Sequence, residues 1–126
     1  MANFQKLFVW QKAKDLAVEV YRLTKSCPSF QIDDGLQNQL RRAAISVPSN
    51  IAEGDELRTN RQSVHFLYIA KGSIAEIRTQ LIIAYEIDYI SKDVMESLES
   101  EYAGLAAMIH RVIVARSKSP LPPDNS

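Results

Sequence analysis

Residues 40–54 of the chain read LRRAAISVPSNIAEG, and this segment decides the fold that the sequence predicts. Its apolar residues recur three or four positions apart, which predicts an amphipathic α-helix with one buried side. Pro48 lies inside the pattern and predicts a kink, because proline removes one helical hydrogen bond. Asp33 and Asp34 precede the helix as N-terminal caps, and Gly54 is expected to end it in a left-handed conformation. The apolar stripe comprises Leu36, Leu40, Ala43, Ala44, Val47 and Ile51.

Three further segments show the same periodicity, and no segment alternates apolar and polar residues as a strand would. The predicted helices span about 4–26, 35–54, 60–88 and 92–117 within one domain, residues 1–118. Residues 119–126 form a Pro-rich tail that is expected to be disordered. Because short connections favour antiparallel neighbours, the predicted fold class is all-α, an up-down-up-down left-handed four-helix bundle.

The composition of the 126 residues excludes several classes of protein. Fifteen basic and fifteen acidic residues cancel, so the net charge favours neither nucleic acid nor a membrane. Cys27 is the only cysteine, which excludes an internal disulfide. The N-terminal residues lack the apolar core of a secretion signal, and the longest apolar run is too short to span a membrane. We therefore expect a soluble, cytoplasmic protein without a membrane partner.

The third helix is apolar over most of its circumference, more than a four-helix monomer covers. This pattern predicts an interface between copies of the chain, although ordinary exposed apolar residues are the simpler alternative. Gly72 in mid-helix costs about 1 kcal/mol relative to alanine. We expect a close helix contact there, so that Gly72→Leu would disrupt helix packing or assembly; a tolerated defect is the alternative. The predicted interface residues are Ile69, Gly72, Ile82, Ile83 and Ile87.

Polar residues form a second strip on the second and third helices. A buried Glu76 would need a partner, and Arg42, with Arg41 beside it, is the candidate. A structural network that fixes helix register is the main interpretation, and a catalytic carboxylate in a cleft is the alternative. His65 and His110 stand without other ligands at metal spacing, so neither a metal nor a cofactor is predicted.

The charges are unevenly placed along the chain although they cancel overall. A solvated face is the simplest interpretation. Complementary patches between subunits and a surface that contacts phosphates are the alternatives. The candidate phosphate contacts are Lys14, Arg22 and Lys25 in the first helix, and Arg111, Arg116 and Lys118 in the fourth.

Residues 40–54 resemble the motif of the four-helix-bundle family named for the 23S rRNA intervening sequence protein. Residues 7–13 (LFVWQKA), 34–36 (DGL) and 70–76 (AKGSIAE) resemble other parts of the family pattern. The positions of this chain that carry the family motif and the polar network are Arg41, Arg42, Ser46, Pro48, Asn50, Glu53, Gly54, Gly72, Ser73 and Glu76.

The resemblance implies a small helical bundle that assembles into a ring-shaped homopentamer, without an established catalytic activity. A related branch resembles the accessory protein of diversity-generating retroelements, which implies contact with a reverse transcriptase and nucleic acid. The main hypothesis is a non-enzymatic oligomeric scaffold or binding module for a protein or RNA partner. One alternative is a protein that binds RNA or DNA and acts on rRNA intervening-sequence or retroelement RNA, and the weakest is a hydrolase that uses Glu53 or Glu76.

Overall fold

The computed structural model describes residues 4–56 and 59–118, and within them the protein is all-α. A 3₁₀ turn, Phe4–Lys6, precedes five α-helices, and no strand occurs in the described residues. The predicted tail, residues 119–126, lies outside them. The helices are α1 (Phe8–Ser26), α2 (Pro28–Ile32), α3 (Asp34–Glu56), α4 (Asn60–Glu86) and α5 (Lys92–Lys118).

The four long helices, α1, α3, α4 and α5, surround one apolar core. Helix α1 packs against α3 and α5, and α4 packs against the same two helices. The buried side chains follow the apolar stripe of each helix, as the periodicity indicates. The periodicity places Tyr21 on the apolar stripe of the first predicted helix, but 38% of it is exposed at the edge between α1 and α3. The largest fully buried side chains include Tyr102, Phe30, Leu40, Ile74 and Leu105.

The short helix α2 is an element that the periodicity does not reveal. Pro28 ends α1, but it also occupies the first turn of α2, where a missing N–H costs nothing. Phe30 is fully buried, and its ring meets Tyr89 edge-on at 5.5 Å. A five-residue helix is too short to display a helical period, which explains why this core residue is missed.

One end of the molecule is fastened by Asp33 and Tyr89. Asp33 Oδ1 accepts a hydrogen bond from the Leu36 N–H at 3.0 Å, which confirms its capping role at α3. The Tyr89 hydroxyl donates to Asp33 Oδ2 at 2.8 Å. These two bonds lower the pKa of the Asp33 carboxyl, the bond from Leu36 having the larger effect. The Cys27 thiol donates to the Tyr89 carbonyl at 3.1 Å and ties α1 to the same loop.

The opposite end is fastened by Arg116 of α5. Its guanidinium pairs with Asp55 of α3 at 3.2 Å and donates to the Ser63 hydroxyl of α4. The Asn60 side chain donates to the Arg116 carbonyl at 3.2 Å. The sequence Thr59-Asn60-Arg61-Gln62 predicts a capping box, and the Thr59 hydroxyl does accept a hydrogen bond from the Gln62 N–H at 3.1 Å. The ends of α3 and α5 therefore lie beside the start of α4.

Helix α4 ends at Glu86, although the sequence predicts its end near residue 88. Asp88 adopts a left-handed conformation with φ 65°, which aspartate tolerates better than most residues. The Tyr89 N–H then donates to the Ala84 carbonyl at 2.8 Å and satisfies a terminal acceptor. No glycine marks this position, so the sequence carries no strong stop signal there.

Two glycine interpretations need correction. Gly54 does not end α3, which continues to Glu56, and no glycine in the described residues has positive φ. Gly54 is instead buried where α3 approaches α4, and a Cβ there would lie 3.0 Å from the Ser63 carbonyl oxygen. Gly72 is exposed, and a Cβ there would meet nothing within 4 Å. Within the protomer, the glycine at a close contact between helices is therefore Gly54, where α3 meets α4.

No helix among residues 4–56 and 59–118 combines the length and the apolar character that crossing a membrane requires.

Substitution of the two glycines by leucine should have opposite effects on stability. Gly54→Leu should lower the free energy of unfolding by about 2 kcal/mol, because its side chain overpacks the α3–α4 contact. Gly72→Leu should raise it by about 0.5 kcal/mol through helix propensity alone. Urea denaturation at low protein concentration measures both values. Wild-type stability for Gly54→Leu would contradict the close contact.

Candidate functional site

A groove runs between α1 and α3 on the outer surface of the protein. Its volume is about 490 Å³. Val18, Tyr21 and Ile45 are each 38–46% exposed there, so the floor offers apolar surface to a partner. We call this cavity the basic groove. Its floor consists of Ala17, Val18, Tyr21, Ile45 and Pro48, and its rim of Lys14, Arg22, Lys25 and Arg41.

Arg41 is held in place at the rim of the basic groove. Its Nε donates to the hydroxyl of buried Thr24 at 2.7 Å, and its guanidinium lies 4.5 Å from the centre of the Tyr21 ring. The Thr24 hydroxyl donates in turn to the Val20 carbonyl at 2.9 Å. Because the guanidinium forms both a hydrogen bond and a cation–π contact, Arg41 fixes α3 to α1 while its charge remains at the groove.

The other rim cations have more freedom than Arg41. Lys14 pairs with its neighbour Asp15 at 2.6 Å, and both side chains are about half exposed. Arg22 and Lys25 are exposed, and no hydrogen bond or ion pair joins them to another described residue. An exposed ion pair such as Lys14–Asp15 contributes little free energy and is easily broken. Because the other rim residues are unpaired cations or Arg41, the rim presents a net positive charge to a partner.

The predicted phosphate contacts do not form one patch. Lys14, Arg22 and Lys25 meet at the basic groove. Arg116 is committed to Asp55 and Ser63 at the far end of the molecule. Arg111 lines a different cavity, together with Lys12 and Glu101, which form an ion pair, and Lys118 lies exposed at the end of α5. The fold thus gathers the α1 cations and separates them from those of α5.

The polar strip of the second and third predicted helices forms a smaller cluster between α3 and α4. The hydroxyls of Ser46 and Ser73 share a hydrogen bond of 2.8 Å. Asn50 donates to the Ser46 carbonyl at 2.8 Å and to its hydroxyl at 2.9 Å. These bonds satisfy partly buried groups and fix the register of the two helices.

Three charged members of the predicted network stay outside this cluster. Arg42, Glu53 and Glu76 are exposed, and no ion pair joins Glu76 to Arg42 or to Arg41. The pairing of Glu76 with Arg42, expected if Glu76 is buried, does not form in the protomer, because both side chains remain in water, where an isolated charge has no need of a partner. The described residues also contain no group of three potential metal ligands.

The outward side of α4 remains apolar and uncovered in the protomer. Gly72 and Ala75 are exposed on the same side, and so are the polar residues Glu76, Thr79 and Glu86. We call this surface the α4 face. Its large apolar residues, with the exposed fraction of each, are Tyr68 (54%), Ile69 (39%), Ile82 (40%), Ile83 (45%) and Ile87 (46%).

Sequence reasoning misses the floor of the basic groove. Val18 and Ile45 lie away from the core stripe of their helices, where single apolar residues are common and carry no signal. The only sequence signal for a role in binding is that each lies on the same side of its helix as a cation, Val18 near Arg22 and Ile45 near Arg42. Only the packing of α1 on α3 shows that the two residues line one surface.

Neighbouring arginines of α3 should differ in their effect on stability. Arg41→Ala should lower the free energy of unfolding by about 1 kcal/mol, because it removes the contacts with Thr24 and Tyr21. Arg42→Ala should change it by less than about 0.5 kcal/mol, as for most exposed positions. Urea denaturation of both variants provides the comparison. Equal losses would contradict a fixed Arg41.

A family model described as 23S rRNA-intervening sequence protein matches residues 5–111. The chain is also similar to the crystal structure of a protein of unknown function from the S23 ribosomal protein family of Bacteroides thetaiotaomicron. That similarity has a TM-score of 0.79 and 22% sequence identity, and it covers 83% of this chain and 97% of that chain, which shows a shared fold. No curated protein matches the chain.

Proposed function

The chain belongs to the 23S rRNA-intervening sequence protein family, and from this premise we propose that it is a non-enzymatic, self-assembling protein. In this proposal it serves as a scaffold or binding module for a protein or RNA partner in the cytoplasm. The observation that carries the proposal is the α4 face. Large, contiguous apolar patches are uncommon on monomers and are typical of interaction sites. The four isoleucines of the α4 face are 39–46% exposed, which is why we infer that this surface contacts a partner.

The proposed bundle topology is up-down-up-down and left-handed. The bond between Tyr89 and Asp33 supports it, because it places the end of α4 beside the start of α3. The pair between Arg116 and Asp55 supports it at the other end, since it places the end of α5 beside the end of α3. The short segment between Glu86 and Lys92 also favours antiparallel neighbours.

The proposed assembly is a ring, with five copies as the family resemblance implies. An oligomer would bury the α4 face and recover the free energy that its exposure to water costs. Gly72 supports this arrangement, because it leaves open space in the middle of the face that a second helix could enter.

Two features favour a binding role over hydrolysis. Glu53 and Glu76, the candidate catalytic carboxylates, are exposed on their helices. No hydrogen bond or ion pair connects either of them to a histidine, a cysteine or a second carboxylate of the described residues. A general acid or base needs such a setting to acquire a suitable pKa.

Light scattering should show that the wild-type protein has several times the 14.2 kDa mass of one chain. Ile83→Asp should reduce this mass to that of the monomer, because it places a charge in the buried interface. Ile32→Asp is the matched control, since Ile32 is 88% exposed on α2 and lies outside the α4 face. A monomeric wild-type protein would refute self-assembly, and an unchanged mass for Ile83→Asp would refute the role of the α4 face.

The second candidate function is nucleic-acid binding, and the gathering of Lys14, Arg22, Lys25 and Arg41 at one groove favours it. A symmetric assembly would repeat this small patch in every copy, so that modest contacts could add. The ligand would be rRNA intervening-sequence or retroelement RNA.

Fluorescence anisotropy with RNA and with duplex DNA, at low and at physiological salt, tests this candidate. Binding through the groove should weaken steeply with salt and should fall at least tenfold in the double variant Arg22→Gln, Lys25→Gln. Arg42→Gln removes an exposed cation outside the groove and should have less effect. The absence of binding at low salt would exclude this function.

A further inference from the structure

The basic groove and the α4 face are two different surfaces of one protomer, the first concave and the second convex. The groove is a concave strip between α1 and α3, and its floor is apolar. The α4 face is the convex surface of a single helix, and three exposed isoleucines lie at its C-terminal end, Ile87 being the residue that follows the helix. We call these three side chains, Ile82, Ile83 and Ile87, the isoleucine ridge.

The charges beside these surfaces are complementary as well. Glu86 and Glu76 are exposed on α4 next to the ridge, and Glu96 of α5 lines a cavity together with Ile82 and Glu86. No ion pair engages these three glutamates with the described residues. Arg22 and Lys25 at the groove are equally without partners. The neutral chain therefore carries separate acidic and basic surfaces, each beside exposed apolar side chains.

We propose that the isoleucine ridge of one copy docks into the basic groove of the next copy. A helix that inserts its apolar side into an apolar groove is a common mode of recognition. Docking would bury Val18, Tyr21 and Ile45 against the ridge. It would also bring Arg22 and Lys25 near Glu86 and Glu96 of the neighbouring copy.

The second copy is the occupant that the molecule itself favours. The groove needs a partner with a convex apolar surface and acidic flanks, and the α4 face of the same chain has both properties. A nucleic acid would use the rim cations but would leave the apolar floor without a matching surface. The contact joins two unlike surfaces and is therefore heterologous, which produces a ring when the rotation closes and an open chain when it does not.

This inference rests on the self-assembly proposed above and adds which surface receives the α4 face. It is tested with two variants that each block one surface. Val18→Asp blocks the groove, and Ile83→Asp blocks the ridge. Both positions are 41–45% exposed in the protomer, so each variant should fold, which circular dichroism checks. Ile32→Asp serves again as the control outside both surfaces.

Each blocked variant alone should have the mass of a monomer by light scattering. An equimolar mixture should form a one-to-one dimer, because the free ridge of Val18→Asp fits the free groove of Ile83→Asp, and the two blocked surfaces end the chain. Ile32→Asp should retain the wild-type mass. Replacing Arg22 and Lys25 by alanine should weaken association severalfold and reduce its dependence on salt.

The remaining outcomes separate this inference from the proposed function. If Val18→Asp retains the wild-type mass while Ile83→Asp is monomeric, self-assembly stands and the basic groove is not the receiving surface. If the two variants are monomeric but do not combine, the heterologous contact is refuted. If Val18→Asp loses RNA binding and keeps its mass, the groove is a nucleic-acid site and the inference is wrong. A monomeric wild-type protein refutes both proposals.

Discussion

The close approach of α3 and α4 is the constraint on which the rest of the structure depends. These two helices share the most extensive contact in the molecule. Gly54 permits it, because a Cβ there would lie 3.0 Å from the carbonyl oxygen of Ser63. The hydrogen bond between Ser46 and Ser73 fixes the register of the same two helices further along. Because one side of α3 packs against α4, Ile45 and Pro48 on another side of α3 line the basic groove with α1. The outward side of α4 stays uncovered.

A net charge of zero conceals the way in which the charges are arranged on the surface. Electrostatic attraction between proteins depends on where charges lie, and the sum over the chain says little about it. Lys14, Arg22, Lys25 and Arg41 surround one groove, whereas Glu76 and Glu86 flank the exposed isoleucines of α4. Separate surfaces of opposite charge suit a head-to-tail assembly of identical chains, because each copy then presents both halves of the contact. The same separation explains why the composition alone does not identify a partner.

Buried and exposed positions differ in how well the sequence predicts their role. The apolar stripes identify the core faces, because burial of apolar surface is the main force and helical geometry repeats it every three or four residues. Arg41 and Arg42 are adjacent cations on α3, and the sequence does not reveal that only Arg41 reaches Thr24 and Tyr21. Glu76 would need a partner if every side of α4 were covered, but its side chain is exposed in the protomer. Similarly, Gly72 and Gly54 are both helical glycines, and only the neighbouring helix distinguishes open space from a close contact.

The sequence by itself determined the all-α class, the four long helices, most of their buried faces, the caps at Asp33 and Thr59, and membership of the family. These features follow from local spacing and from a motif, and both are properties of neighbouring residues along the chain. The tertiary structure alone decided the burial of Phe30 in α2, the position of Gly54 at the α3–α4 contact, and the union of Val18 and Tyr21 of α1 with Ile45 and Arg41 of α3 in one groove. Such features depend on which helices become neighbours and at what register, because a groove exists only where two separately encoded surfaces meet.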